Sequence, residues 1–227
     1  MVTTNLRPLQ LDALVQADRV NGRVYTDPAI FAAELDAIFT RGWVFVGHES
    51  EIPEPGGYVT RRLGLDPVIM VRHRTGEVHV LANRCSHRGV TLCQAAAGKA
   101  KAFSCIFHGW TFALDGSLRG IPQPDGLCRD RQELGLDRPG QVDSYKGFVF
   151  ANQSGTAGSL ADHLGPGGMV LLDWVCDLSP VGQLQITAGW IGQQSASNWN
   201  MWAESDLDGY HLARLHSSLW RVVPGTQ

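Results

Sequence analysis

The chain has 227 residues, 44% hydrophobic and 18% charged, with a formal net charge of −3. That length suits one or two domains with a sizeable core, and the charge excludes the basic surface that nucleic acid or an anionic membrane would need. No apolar run reaches 18 residues, and the N-terminus has no charged stretch followed by a long apolar segment, so a cytoplasmic protein without membrane or nucleic-acid partners is expected.

In chain order, Asp27 and Pro28 read as the N-cap and first residue of a helix. Its predicted buried stripe is Ile30, Phe31, Leu35, Ile38 and Phe39, and it stops near Arg41-Gly42. From Trp43 to Asn152 the pattern turns to short strands. Residues 67–73 and 77–83 flank a turn at Thr75-Gly76, and a second hairpin turns at Asp115-Gly116 between Thr111-Phe112 and Leu118. His73 and His79 fall on strands, His48 and His163 in polar or loop contexts, and none has ligand spacing.

Within this stretch Cys85-Ser86-His87 is followed, seventeen residues on, by Cys105-Ile106-Phe107-His108. Two thiolates and two imidazoles in matched pairs suit either a Cys2His2 zinc site or a 2Fe-2S cluster held by two cysteines on one iron and two histidines on the other. Zinc fingers usually pair Cys with Cys and His with His; here each loop carries one of each, so each can supply both irons. The flanks, NRCSHRG and FSCIFHGWTFALDG, closely resemble the Rieske motif, including Arg88-Gly89 and Gly109-Trp110; Ile106 stands where that family more often has proline or a small residue. Phe107, Trp110 and Phe112 are expected to wall the cluster, with Gly89 and Gly109 letting backbone N–H groups approach the sulfurs.

Beyond Asn152 a Gly-rich connector leads to Leu160, Leu164 and the apolar run 169–175. Residues 183–191 alternate Leu184, Ile186, Ala188 and Trp190 on one face, which predicts a half-buried strand. Asn198 then caps a helix carrying Asp208, His211 and His216 in an Asp-x-x-His-x4-His pattern. Residues five apart on a regular helix point about 140° apart. His211 and His216 can therefore share a metal only if the helix widens or ends, and a π-bulge is expected near Ala213 to Leu215.

This second motif looks like the mononuclear iron motif of the ring-hydroxylating oxygenases. Nearly the whole chain resembles the large (alpha) subunit of Rieske non-haem iron aromatic ring-hydroxylating oxygenases, and residues 204–211 are most similar to the benzoate-type subgroup. Ser205 replaces that subgroup's usual asparagine, and Asn200 a common lysine. The resemblance implies an α+β fold: a helical segment at 1–42, an all-β Rieske domain at 43–152, and at 153–227 the start of an incomplete helix-on-antiparallel-sheet catalytic domain.

It further implies a 2Fe-2S cluster on Cys85, His87, Cys105 and His108, and a mononuclear Fe(II) on His211 and His216. By the same resemblance Asp208 is expected to be the inter-subunit electron-transfer bridge. NAD(P)H acts indirectly through a reductase, with or without a ferredoxin, and O2 and an aromatic compound are the substrates. The full-length protein is expected as a homotrimer or a hetero-hexamer with a beta subunit. The family's third iron ligand, a downstream carboxylate, has no counterpart here, because no Asp or Glu follows His216. An oxygenase subunit and an electron-transfer-only, ferredoxin-like protein both remain open. Cys93, Cys128 and Cys176 read as reduced buried thiols.

Overall fold

The computed structural model describes residues 11–124, 129–186, 189, 192 and 194–222. The first elements are α1 (Leu11–Leu14), a hairpin of β1 (Val15–Gln16) and β2 (Arg19–Val20), α2 (Arg23–Thr26) and α3 (Pro28–Glu34). Asp27 Oδ1 accepts the Ala29 N–H at 2.9 Å, so α3 starts where the sequence places it. The helix then widens into a π-helix over Leu35–Thr40, where the Arg41 N–H donates to the Asp36 carbonyl five residues back. A wider turn carries later side chains round the axis. Ile30 is accordingly buried, but Ile38 is 43% exposed and leaves the predicted stripe. The buried Asn152 amide donates to the carbonyls of Arg41 and Gly42 at 2.6 and 2.7 Å, satisfying acceptors the helix end would otherwise orphan.

Among the described residues ten strands follow: β3 (Val44–His48), β4 (Gly57–Leu63), β5 (Asp66–Arg72), β6 (Val78–Ala82), β7 (Ala97–Lys99), β8 (Phe103–Ser104), β9 (Thr111–Phe112), β10 (Leu118–Gly120), β11 (Gln141–Tyr145) and β12 (Phe148–Asn152). They pair antiparallel in the orders β6-β5-β4-β7, β11-β12-β3 and β10-β9-β8. Both expected hairpins, β5–β6 and β9–β10, are present. The fold is α+β, with these strands as its all-β part.

The run Val68-Ile69-Met70-Val71 in β5 is buried on both faces. Period-two alternation sends Ile69 and Val71 into a core with Leu81, Cys85, Cys105, Trp110 and Phe112, and Val68 and Met70 into a second with Val46, Leu63, Val80, Val149 and Ala151. One strand thus sits between two cores, and only the first is shared with the ligand loops. His48, read as a polar-context residue, is buried, and its Nδ1 lies 2.9 Å from Ser50 Oγ at a turn.

After β12, Ser159 and Asp162 form a capping box on α4 (Leu160–Asp177). The helix is broken at Gly165, whose φ of 60° suits only glycine well, and Pro166 restarts it. The Tyr145 hydroxyl donates to Asp173 Oδ1 at 2.8 Å and ties α4 to β11. Residues 183–186 do not form the predicted strand. The Ile186 N–H donates to Ser50 Oγ at 2.9 Å rather than to a neighbouring strand, so the ladder that alternation calls for is not built there. Thr187, Ala188, Trp190 and Ile191 lie outside the described residues, as does Cys128.

The last elements are α5 (Trp199–Leu207), α6 (Leu212–Leu215) and α7 (Ser217–Val222). Residues 34–190 form one compact unit, and the stretches up to Ala33 and from Ile191 form another. In that second unit the Tyr25 hydroxyl on α2 donates to the Glu204 carboxylate on α5 at 2.8 Å. Among the described residues, no helix is long and apolar enough to cross a membrane.

Candidate metal centres

The two ligand loops close in the same way. The Cys85 N–H donates to the Val90 carbonyl and the Gly89 N–H to the Cys85 carbonyl, both at 2.8 Å. Twenty residues on, the Cys105 N–H donates to the Trp110 carbonyl at 2.8 Å and the Gly109 N–H to the Cys105 carbonyl at 2.9 Å. Each ring needs a left-handed residue, and Gly89 and Gly109 supply it at φ of 73° and 70°. Their own N–H groups are therefore engaged by the cysteine carbonyls, and the loop they close brings other backbone N–H groups to a sulfur, as expected. The groups that reach the Cys85 thiol are the N–H groups of His87 and Arg88.

The four side chains separate by type. Cys85 and Cys105 are 2% and 4% exposed, inside the core that β5 and β6 back, whereas His87 and His108 are exposed. The imidazole centroids lie 4.7 Å apart, and the His87 ring stacks on Trp110 at 4.8 Å with 7° between planes. Trp110 and Phe112 are buried walls as expected, but Phe107 is 58% exposed and stands outside. Ser86, which the sequence left unremarked, donates from Oγ to the Leu134 carbonyl at 2.7 Å and pins the first loop. No local pattern signals a partner 48 residues away.

Burial pushes the Cys85 thiol above its ordinary pKa, the His87 N–H pulls it back in part, and the neighbouring Cys105 thiol raises it again. Two buried thiols side by side resist ionising together; a cation held between them removes the penalty. The donor set therefore fits a cationic iron bound by thiolates on the inside and by imidazoles on the outside.

The second constellation is local. Asp208 ends α5, and its Oδ1 accepts the Tyr210 N–H at 2.7 Å while Oδ2 lies 3.1 Å from His211 Nδ1. The Tyr210 N–H and then the His211 ring hold the Asp208 carboxyl below its usual range. With Nδ1 engaged by Asp208, Nε2 is the His211 nitrogen that a metal would take. The π-bulge expected at Ala213–Leu215 is not formed: α6 ends at Leu215, and His216 leaves the helix at φ −107°, ψ 40°. Ending the helix achieves what widening it would have, and the two imidazole centroids lie 5.3 Å apart. Metal–nitrogen bonds of about 2.1 Å place each ring centre roughly 3.2 Å from an ion, so rings at this separation can share one. Asn198 caps α5 through the Asn200 N–H at 2.8 Å, but α5 stops before the histidines, which stand at the ends of α6 instead.

Residues 42–145 match the Rieske [2Fe-2S] domain family. The chain is 38% identical to the anthranilate 1,2-dioxygenase large subunit of Acinetobacter baylyi over 92% of its own length and 45% of that protein. It is 39% identical to the N,N-dimethyl phenylurea N-demethylase subunit alpha of a Sphingobium strain over 86% of its length and 43% of that protein. Among solved structures, naphthalene 1,2-dioxygenase with indole bound superposes with a TM-score of 0.77 at 36% identity, covering 86% of this chain and 44% of that one. The chain spans about half the length of the curated relatives it matches. Residues 42–145 thus carry the match to a Rieske [2Fe-2S] domain, and over 86–92% of its length the chain is similar to part of a dioxygenase large subunit and of an N-demethylase alpha subunit.

Proposed function

We propose that Cys85 and Cys105 hold the inner iron of a 2Fe-2S cluster and that His87 and His108 hold the outer one. The separation of buried thiols from exposed imidazoles carries this reading. A single tetrahedral zinc draws all four donors around one point, whereas a two-iron unit has a thiolate end and an imidazole end. Purified protein is expected to be brown, with two irons and two labile sulfides per chain. A colourless protein holding stoichiometric zinc overturns the assignment.

We further propose that the whole protein, of which this chain covers one part, hydroxylates an aromatic compound, by mono- or dihydroxylation, with electrons from NAD(P)H delivered through a reductase or a ferredoxin. When bound, the cluster supplies one-electron transfer, and an Fe(II) on His211 and His216 supplies O2 activation. The chain's own residues set the conditions for both. The exposed edges of His87 and His108 offer a short path to a redox partner, and Trp110 fixes the His87 ring by stacking. Asp208 orients His211 through Nδ1 and stands as the carboxylate linking this site to a neighbouring subunit's cluster histidine, in a homotrimer or a hetero-hexamer.

The convergence of Asp208, His211 and His216 favours this reading over an electron carrier alone, which has no use for a second metal site. Two neutral imidazoles hold Fe(II) weakly, and the family's third ligand is an anionic carboxylate absent from this chain. The 227-residue chain should accept electrons into its cluster yet form no hydroxylated product with reductase, Fe(II) and O2. A version extended through a downstream carboxylate should form it. Coupled hydroxylation by the short chain refutes the two-histidine assignment.

A further inference from the structure

His73, Glu77 and His79 spread over seven residues as H-R-T-G-E-V-H and lack ligand spacing in a linear reading. The β5–β6 register changes this. Arg72 pairs with Val78 and Val71 with His79, and the His73 N–H donates to the Glu77 carbonyl at 2.7 Å. His73 therefore stands opposite Glu77, and His79 stands two residues beyond Glu77 on the same face. The tight turn at Gly76, with φ of 93°, closes the hairpin in that register.

One ligand atom from each of the three residues lies within 4.8 Å of the other two. The imidazole centroids of His73 and His79 are 5.4 Å apart, nearly the 5.3 Å of the His211–His216 pair, and His79 Nε2 is 3.9 Å from Glu77 Oε2. In a tetrahedral site ligands at about 2.1 Å from one ion are ~3.4 Å from each other, so the hairpin side chains have to close by up to about 1.4 Å around the ion.

An orienting hydroxyl is already in place. His73 Nδ1 lies 2.9 Å from Thr75 Oγ1, which donates in turn to Glu77 Oε2 at 3.2 Å, so an outer hydroxyl already orients one ring and one carboxylate. Asp115 and Arg138 bring one charge of each sign to the same end of the sheet.

We propose that His73, Glu77 and His79 form a third metal site, separate from the two redox centres, that binds a borderline divalent cation of the zinc class. Two neutral imidazoles and one carboxylate are the donors such ions take, with an open position for water. The site closes the free end of the hairpin whose other end leads into the first cluster loop. His79 is the second residue of β6, and the strand runs on from it through Ala82 toward Cys85. It is thus a structural staple and not a participant in electron transfer.

The test uses cluster-loaded protein carrying His211→Ala and His216→Ala, so that the mononuclear histidines cannot compete. Calorimetric titration with Zn2+ should show one equivalent bound, and the midpoint of thermal unfolding should rise with Zn2+ concentration. His73→Ala with His79→Ala should abolish that equivalent, and Glu77→Gln alone should weaken it at least about tenfold, with the visible cluster spectrum unchanged as the check on folding. No uptake by the parent, or undiminished uptake by a folded His73/His79 variant, overturns the proposal. Should the double histidine variant lose its cluster spectrum, Glu77→Gln decides: its residue is exposed, and unchanged affinity there also overturns it.

Discussion

The loops at 85–110 and the segment at 208–216 each gather the side chains proposed as metal ligands, and they do so by opposite means. In the first, donors twenty residues apart meet because β5 and β6 back both loops from one core, which buries the thiols and leaves the imidazoles at the surface. In the second, two histidines and the aspartate that orients one of them lie within nine residues because two short helices stop, at Leu207 and at Leu215. The sheet-built site has two buried thiols, two exposed imidazoles and a packed wall. The helix-end site has two partly exposed to exposed imidazoles and the carboxylate that orients one of them. A site assembled from distant residues needs the fold first, whereas a site assembled locally needs only a helix terminus and remains open to completion from elsewhere.

The largest test of this contrast is Cys105→Ser. Losing one buried thiolate should abolish the cluster outright, seen as loss of visible absorbance, iron and labile sulfide, while leaving 208–216 unaffected. His87→Cys should be milder: it should either lose the cluster or lower its potential from the Rieske range of roughly −150 to +300 mV toward the about −400 mV of four-cysteine plant-type ferredoxins, measured by redox titration.

Next in size are the loop glycines. An alanine Cβ at Gly109 would stand 2.9 Å from the Pro122 ring, while at Gly89 it would meet nothing within 4 Å. Both substitutions incur the left-handed penalty of about 1–2 kcal/mol, and Gly109→Ala adds an overpacking cost of about 1–3 kcal/mol. Chemical denaturation of the cluster-loaded protein should rank them in that order. Equal losses would show that Pro122 yields freely.

Asp208→Asn probes the helix-end centre. In the full-length oligomer it should leave both metals bound and slow single-turnover electron transfer by about 10–100-fold, since it removes the carboxylate that orients His211. An unchanged rate would make Asp208 a surface carboxylate. The smallest effect concerns Cys93, whose thiol burial pushes up to about 11. It should resist iodoacetamide at pH 8 in folded protein and react only on unfolding. Rapid labelling of native Cys93 would show that this part of the core opens.

Local chemistry alone determined much of this protein. The two Cys/His loops, the Asp208–His211–His216 pattern, the Asp27 cap and the two hairpins are legible in the sequence because each rests on residues a few positions apart, where spacing and turn chemistry act directly. The tertiary structure decided what depends on distant partners. It turned the predicted stripe with a π-helix that exposes Ile38, and it left 183–186 out of any strand ladder. It split the single apolar run of β5 between two cores, and it spent the glycine N–H groups on the cysteine carbonyls. It also gathered His73, Glu77 and His79 on one face. Apolar periodicity states which side chains seek burial, but register, the choice of partner strand and the end of a helix settle which neighbours they find.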